Sequence, residues 1–194
     1  IDSTLALMPA GRECRGYVCD VSDRVATSTL ADAVEEDFGQ VDIIVNNAGI
    51  TSAAPFSEFD MALFDRIVKT NFFGVVNCCH AFLPKLQARE QGHIVNMSSM
   101  LGFVGVPHQS AYVSTKFAIR GFTESLWAEL DDTPIAVTGI YPGTIQSEIL
   151  ERASFSDDLE KAAMIKMMDR FGIPASVVAV QTVNAIRRRR REVI

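Results

Sequence analysis

Tyr112 and Lys116 stand four residues apart, a spacing that puts both side chains on one face of a helix. At about 5 Å and an effective dielectric of about 20, an ammonium group favours a phenolate by roughly 3 kcal/mol, a little over two pK units. Such a shift would carry a tyrosine towards neutrality, where it can exchange protons as a general acid or base. A bare Y-x-x-x-K is also met as a packed tyrosine beside a solvated lysine, so the pair needs company. Ser99, thirteen residues before Tyr112, directly follows an expected strand and could hydrogen-bond a reacting oxygen; alone it is equally a turn hydroxyl. Asn71, in Lys69-Thr70-Asn71-Phe72-Phe73, falls on the apolar side of an expected helix. An amide there must be satisfied, by a side chain or by an ordered water.

These side chains have to be carried by a scaffold, and the hydrophobic pattern outlines one. Short apolar runs at Gly16–Val21, Val41–Val45, His93–Met97 and Ile135–Ile140 predict buried strands. Between them lie helical patterns: Thr27–Phe38, closed by Gly39; a long helix from Asp60 through Leu86, its last turn loosened at Pro84; and Ala111–Leu130. Alternation of this kind predicts one α/β domain over residues 1–194, a parallel sheet covered by helices on both faces. Ligands of such sheets bind beyond the carboxyl ends of the strands. Asp20, Asn46 to Gly49, Ser98-Ser99 and Pro142-Gly143 all fall there.

Composition removes several classes of function. The chain has 194 residues, 48% of them hydrophobic, which is too apolar for a disordered protein. No apolar run approaches the roughly 18 residues of a membrane span. A net charge of −6 and a pI near 5.1 argue against a nucleic-acid partner. Cys14, Cys19, Cys78 and Cys79 form no C-x-x-C pair, and Cys78-Cys79-His80 on a helix cannot converge on one ion. Reduced thiols in a cytoplasmic protein, with no metal, are the expectation. Arg187 to Arg191 could bind phosphate, a CoA tail or acidic lipid, but a cation-rich helix end explains the run as well.

Taken in order, Asn46-Asn47-Ala48-Gly49, Asn71, Ser98-Ser99, Tyr112-x-x-x-Lys116 and Pro142-Gly143 resemble the short-chain dehydrogenase/reductase family, most closely over residues 16–148. The resemblance implies a Rossmann-type, doubly wound, three-layer fold and NAD or NADP as cofactor. It implies Tyr112 as catalytic acid/base, Lys116 lowering its pKa and holding the nicotinamide ribose, Ser99 on the substrate oxygen, and Asn71 on a relay water. Asp20 and Val21 would meet the adenine, and Asn46, Ala48 and Gly49 would run past the adenine-side ribose. Pro142, Gly143, Ile145 and Ser147 would meet the nicotinamide side. Met100, Leu101, Phe103, Val104 and Val106 would line the substrate pocket, and 149–171, with Met164, Met167 and Met168, would form a lid. Apolar walls suggest a hydrophobic secondary alcohol or ketone; the same methionines could simply pack a helix.

The chain departs from the family in one large respect: no T-G-x-x-x-G-x-G turn is present to hold a pyrophosphate. The domain is therefore expected to be incomplete at both ends, without the N-terminal β-α-β and the last strand. Asp2 is a candidate for the acid that selects NAD, with helix capping as its alternative role. The expected activity is oxidoreduction by a homodimer or homotetramer. An epimerase or dehydratase on the same fold, or a non-catalytic binding protein, is the alternative.

Overall fold

The computed structural model describes Ala6, Met8 and residues 11–194; Asp2 lies outside the described residues. Four parallel strands form the main sheet in the order β1 (Ile43–Asn46), β3 (Gly92–Met97), β4 (Ile135–Ile140) and β8 (Glu192–Val193). In register, Ile43 to Asn46 pair with His93 to Asn96, and Gly92 to Met97 with Ile135 to Ile140. This is the Rossmann-like α/β fold the alternating pattern predicts. The segment expected as the first strand, Gly16–Val21, differs: it takes no regular secondary structure, pairs with no strand among the described residues, and leaves Val18 94% exposed. An apolar run becomes a strand only where a neighbouring edge is in reach.

Helices α1 (Arg24–Phe38), α3 (Gly74–Ala88) and α4 (Ser110–Leu130) cover one face of the sheet. Asp23 caps α1 by accepting from the N–H groups of Val25 and Ala26, and Gly39, at φ 73°, ends it in the left-handed conformation. Strand alternation sends Ile44, Ile94, Ile135 and Val137 into this layer, against Val75, Phe82, Leu86 and Leu126. The opposite parity, Val95 and Ile140, packs on Val178 of α6 (Ala175–Arg187). Ile43 and Val45 of β1 share that second face and stay about half exposed. Among the described residues one helix therefore covers the second face beside β4 and β8, where three cover the first.

The expected long helix from Asp60 is divided. An α-helical piece, α2 (Met61–Val68), passes into a π-helical turn, Lys69–Phe73, before α3 resumes and runs through Pro84 to Ala88. The wide turn is centred on Asn71, and such turns concentrate at functional sites. Beyond β4, two small parallel ladders stand at the carboxyl end of the sheet. One joins β2 (Ser52–Ala53) to β6 (Ser154–Phe155), the other β5 (Ile145–Gln146) to β7 (Ile173–Pro174). Between β6 and β7 runs α5 (Asp158–Phe171), a helix with no buried residue.

Candidate active site

Helix α4 starts from a pinned loop. His108 takes φ 64°, its carbonyl accepts from the Ala54 N–H at 2.9 Å, and its Nδ1 lies 3.0 Å from both carboxylate oxygens of Glu160 on α5. Tyr112 follows in the first turn and Lys116 one turn later. Lys116 is buried and donates from Nζ to the Met97 carbonyl at 2.8 Å, 5.3 Å from the centre of the Tyr112 ring. Burial pushes the ammonium down to about 8 and the Tyr112 phenol up to about 12, the Ser99 hydroxyl opposing the latter. The expected fall of Tyr112 towards neutrality is thus corrected. Desolvation sets the direction, while the ammonium faces the ring and donates to the Met97 carbonyl.

Ser99 ends the β3 strand as the cap of a 3₁₀ turn, Met100–Gly102: its Oγ accepts from the Leu101 N–H at 3.1 Å. It also donates to the Pro142 carbonyl at 3.4 Å, which takes the Met100 N–H at 2.9 Å. Two strand ends are thereby tied together beside Tyr112. The turn presses on α4 at Gly102, where a Cβ would fall 2.8 Å from Ser98 Oγ and 2.9 Å from the Lys116 carbonyl. Only glycine fits without displacing the backbone that carries Lys116.

Asn71 is fully buried and its amide is spent on protein. Oδ1 accepts from the Ile50 N–H at 2.8 Å, and Nδ2 donates to the Ile50 carbonyl at 2.9 Å and to Thr115 Oγ1 at 3.2 Å. The π-helical turn thus clamps the chain following Gly49 onto α4, one residue from Lys116. Asn77, which sequence reasoning passed over, does similar work. Its Nδ2 donates to the Val21 and Ser22 carbonyls at 3.1 and 3.3 Å. An amide within an apolar helix, the signal that singled out Asn71, would have found it.

Two cavities meet at Tyr112. One, of about 680 Å³, is lined by Asn47, Gly49, Lys116, Pro142, Ile145, Ser147 and the α6 face. The other, of about 470 Å³, is lined by Ser99, Met100, Leu101, Val106, Gly143 and Leu150, with Met164, Met167 and Met168 of α5. Tyr112, Ile145 and Ser147 border both. Lys116 faces the first and Ser99 the second.

The remaining expected site residues lie elsewhere. Asp20 borders a recess with Arg66 and Lys69, its carboxyl held below the usual range by the Ser22 N–H. Val21, Asn46 and Ala48 line a narrow crevice of about 70 Å³. The Asn46 side-chain amide is spent on protein. Strand parity turns it to the α3–α4 face, where Nδ2 donates to Asn96 Oδ1 at 2.8 Å and Asn96 donates to Thr123 Oγ1. Phe103 and Val104 do not line the second of the two cavities at Tyr112. Phe103 packs edge-on to Tyr141 at 4.9 Å beneath Arg120, and Val104 is exposed. Cys79 is buried, Cys78 half-buried and His80 exposed, and desolvation raises the two thiols to about 12 and about 11. Of the arginine run, Arg191 pairs with Asp131 and Arg189 donates to the Pro134 carbonyl.

Comparison with known proteins identifies the family and supports the fold. The family model for short chain dehydrogenase matches residues 3–157. A Mycobacterium tuberculosis protein named "Putative oxidoreductase SadH" is 39% identical over 162 residues, 82% of this chain and 59% of that protein. The crystal structure of a short chain dehydrogenase/reductase from Burkholderia phymatum in complex with NAD superposes with a TM-score of 0.88 at 26% identity, covering 98% of this chain and 73% of that one. A gluconate 5-dehydrogenase from Burkholderia cenocepacia, solved with NADP and tartrate, gives a TM-score of 0.65 at 31% identity over 67% of this chain and 51% of its own. The chain belongs to the short chain dehydrogenase family. It spans about 59% of the length of the SadH relatives it matches. No helix among the described residues is long and apolar enough to cross a membrane.

Proposed function

We propose that this protein interconverts a secondary alcohol and a ketone with NAD or NADP, on an apolar substrate. The observation that carries the reading is the place of Tyr112, on the wall shared by two cavities, with Lys116 in one and Ser99 in the other. A phenol near 12 is protonated at neutral pH and so stands ready to donate to an oxygen that gains charge. Ser99 beside it would hold that oxygen. The charged Lys116 would stabilise the phenolate left behind, and Asn71 would keep Thr115 and the Gly49–Ile50 turn in place around the pair. Its role is therefore positioning, with any relay water held by neighbours.

The larger cavity suits the nicotinamide half of the cofactor: Lys116 could meet a ribose, and Pro142, Ile145 and Ser147 the ring and its amide. When bound, the nicotinamide supplies or accepts the hydride. Gly49 and Asn47 extend that wall, Asp20 would meet the adenine end, and Val21 and Ala48 would shape the path between them. Among the described residues no glycine-rich turn offers backbone N–H groups to a pyrophosphate. Among the described residues β1 is an edge strand of the main sheet, and its Ile43 and Val45 are exposed on the second face. The segment 149–171 would act as lid over the substrate-side cavity. Assembly as a homodimer or homotetramer would bury Phe73 of the π-helical turn and Phe117 of α4, and the free thiols suit a cytoplasmic setting. The test is reduction of ketones followed by NADH and NADPH absorbance. Tyr112→Phe should lower turnover by about 10²–10⁴-fold while the nucleotide still binds. Undiminished turnover would remove Tyr112 from the chemistry.

A further inference from the structure

Gln109 has a conspicuously unspent side chain. It occupies the cap position of α4, where a polar side chain normally accepts from the first turn, yet it makes no capping bond. It is 7% exposed and borders the apolar substrate-side cavity. Its one side-chain hydrogen bond runs from Nε2 to the Met164 sulfur at 3.9 Å, a weak acceptor. The neighbouring residues hold it there, because His108 is fixed by Ala54 on one side and Glu160 on the other. An amide costs free energy in an apolar wall unless something meets it.

We infer that Gln109 is a specificity-determining residue: the substrate is an apolar ketone or alcohol with a second oxygen, a carbonyl or hydroxyl, received by this amide. The inference rests on the proposed function for the identity of the reacting group, and not for the binding of the second oxygen. Gln109 and Tyr112 are three residues apart at the start of one helix, so the two contacts are about one turn apart along the wall. The two oxygens of the substrate are accordingly separated by a few bonds, neither adjacent nor at opposite ends of a long chain. An analogue lacking the second oxygen leaves the amide facing hydrocarbon, and discrimination of roughly tenfold or more follows.

The experiment is a positional scan by binding: 2-octanone against 2,3-, 2,4-, 2,5- and 2,6-octanedione, titrated calorimetrically into the protein. The expected result is one diketone spacing bound at least tenfold more tightly than 2-octanone, with that ratio collapsing towards one in Gln109→Leu. In Gln109→Glu, which can accept but not donate, the preference should pass from the diketone to the matching hydroxyketone. A flat series in the wild type, a preference that survives Gln109→Leu, or no binding by any member overturns the inference. Because binding needs no turnover, a protein that shows the preference but reduces none of these ketones would refute the proposed reaction and leave the Gln109 assignment standing.

Discussion

Replacement of Asn71 by alanine is the sharpest perturbation of the link between fold and site. The side chain satisfies both backbone groups of Ile50 and reaches Thr115. Removing it strands the Ile50 N–H and carbonyl, at about 1–3 kcal/mol for each buried group left unpaired. Thr115 loses less, since its hydroxyl still donates to the Tyr112 carbonyl at 2.7 Å. Ile50 is only partly buried and water can reach some of the vacated space, so the total should lie near 2–4 kcal/mol. The single tryptophan, Trp127, provides a fluorescence signal for guanidinium unfolding. The midpoint should fall without a change in slope. For a chain of this length each kcal/mol corresponds to roughly 2–4 °C in melting temperature. Asn71→Asp is the informative companion: it keeps the acceptor for the Ile50 N–H but sets a second oxygen against the Ile50 carbonyl, so it should rescue little. Stability of Asn71→Ala within about 0.5 kcal/mol of wild type, the usual span of a neutral surface change, would refute the clamp.

Two further outcomes are expected. If Lys116 must be charged to support Tyr112, kcat/KM for ketone reduction should be level below about pH 8 and fall above it, where the buried ammonium loses its proton; a profile flat to pH 10 would sever that link. His93 gives a stability counterpart. Its Nε2 lies 2.7 Å from Thr138 Oγ1, which itself donates to the Arg190 carbonyl, so Nε2 carries the proton of a neutral ring. Burial, with Arg189 nearby, pushes its pKa down to about 4. The unfolded chain therefore takes up a proton near pH 6.5 that the folded one resists, and stability is lost as pH falls from there to about 4. The loss should approach about 3 kcal/mol, at roughly 1.4 kcal/mol per pH unit. Denaturation curves of wild type and His93→Gln should converge by that amount between pH 7 and 4, and parallel curves would exclude His93 as the cause.

Amino-acid order alone determined the local elements and their sequence along the chain. Gly39 after an amphipathic run, Ile135–Ile140 before Tyr-Pro-Gly, and Tyr112 four residues from Lys116 each have a signature shorter than twenty residues. Periodicity and cap chemistry act within one element, so these features needed no partner to be legible. What the tertiary structure decided was which side of an element each residue faces, and how much water reaches it. Asn46 is expected to open the turn after the strand, but it is the last residue of β1, and the pairing of β1 with β3 gives it the parity of the helix face, where it meets Asn96. Gly16–Val21 has the composition of a strand, yet it pairs with none among the described residues. Phe103 is apolar and near Tyr112 in sequence, yet Tyr141 and Arg120 claim its ring. The sign of the Tyr112 shift was the largest such decision. Spacing alone brings an ammonium near a phenol, but desolvation, which only packing establishes, pushes the phenol up to about 12 and the ammonium down to about 8.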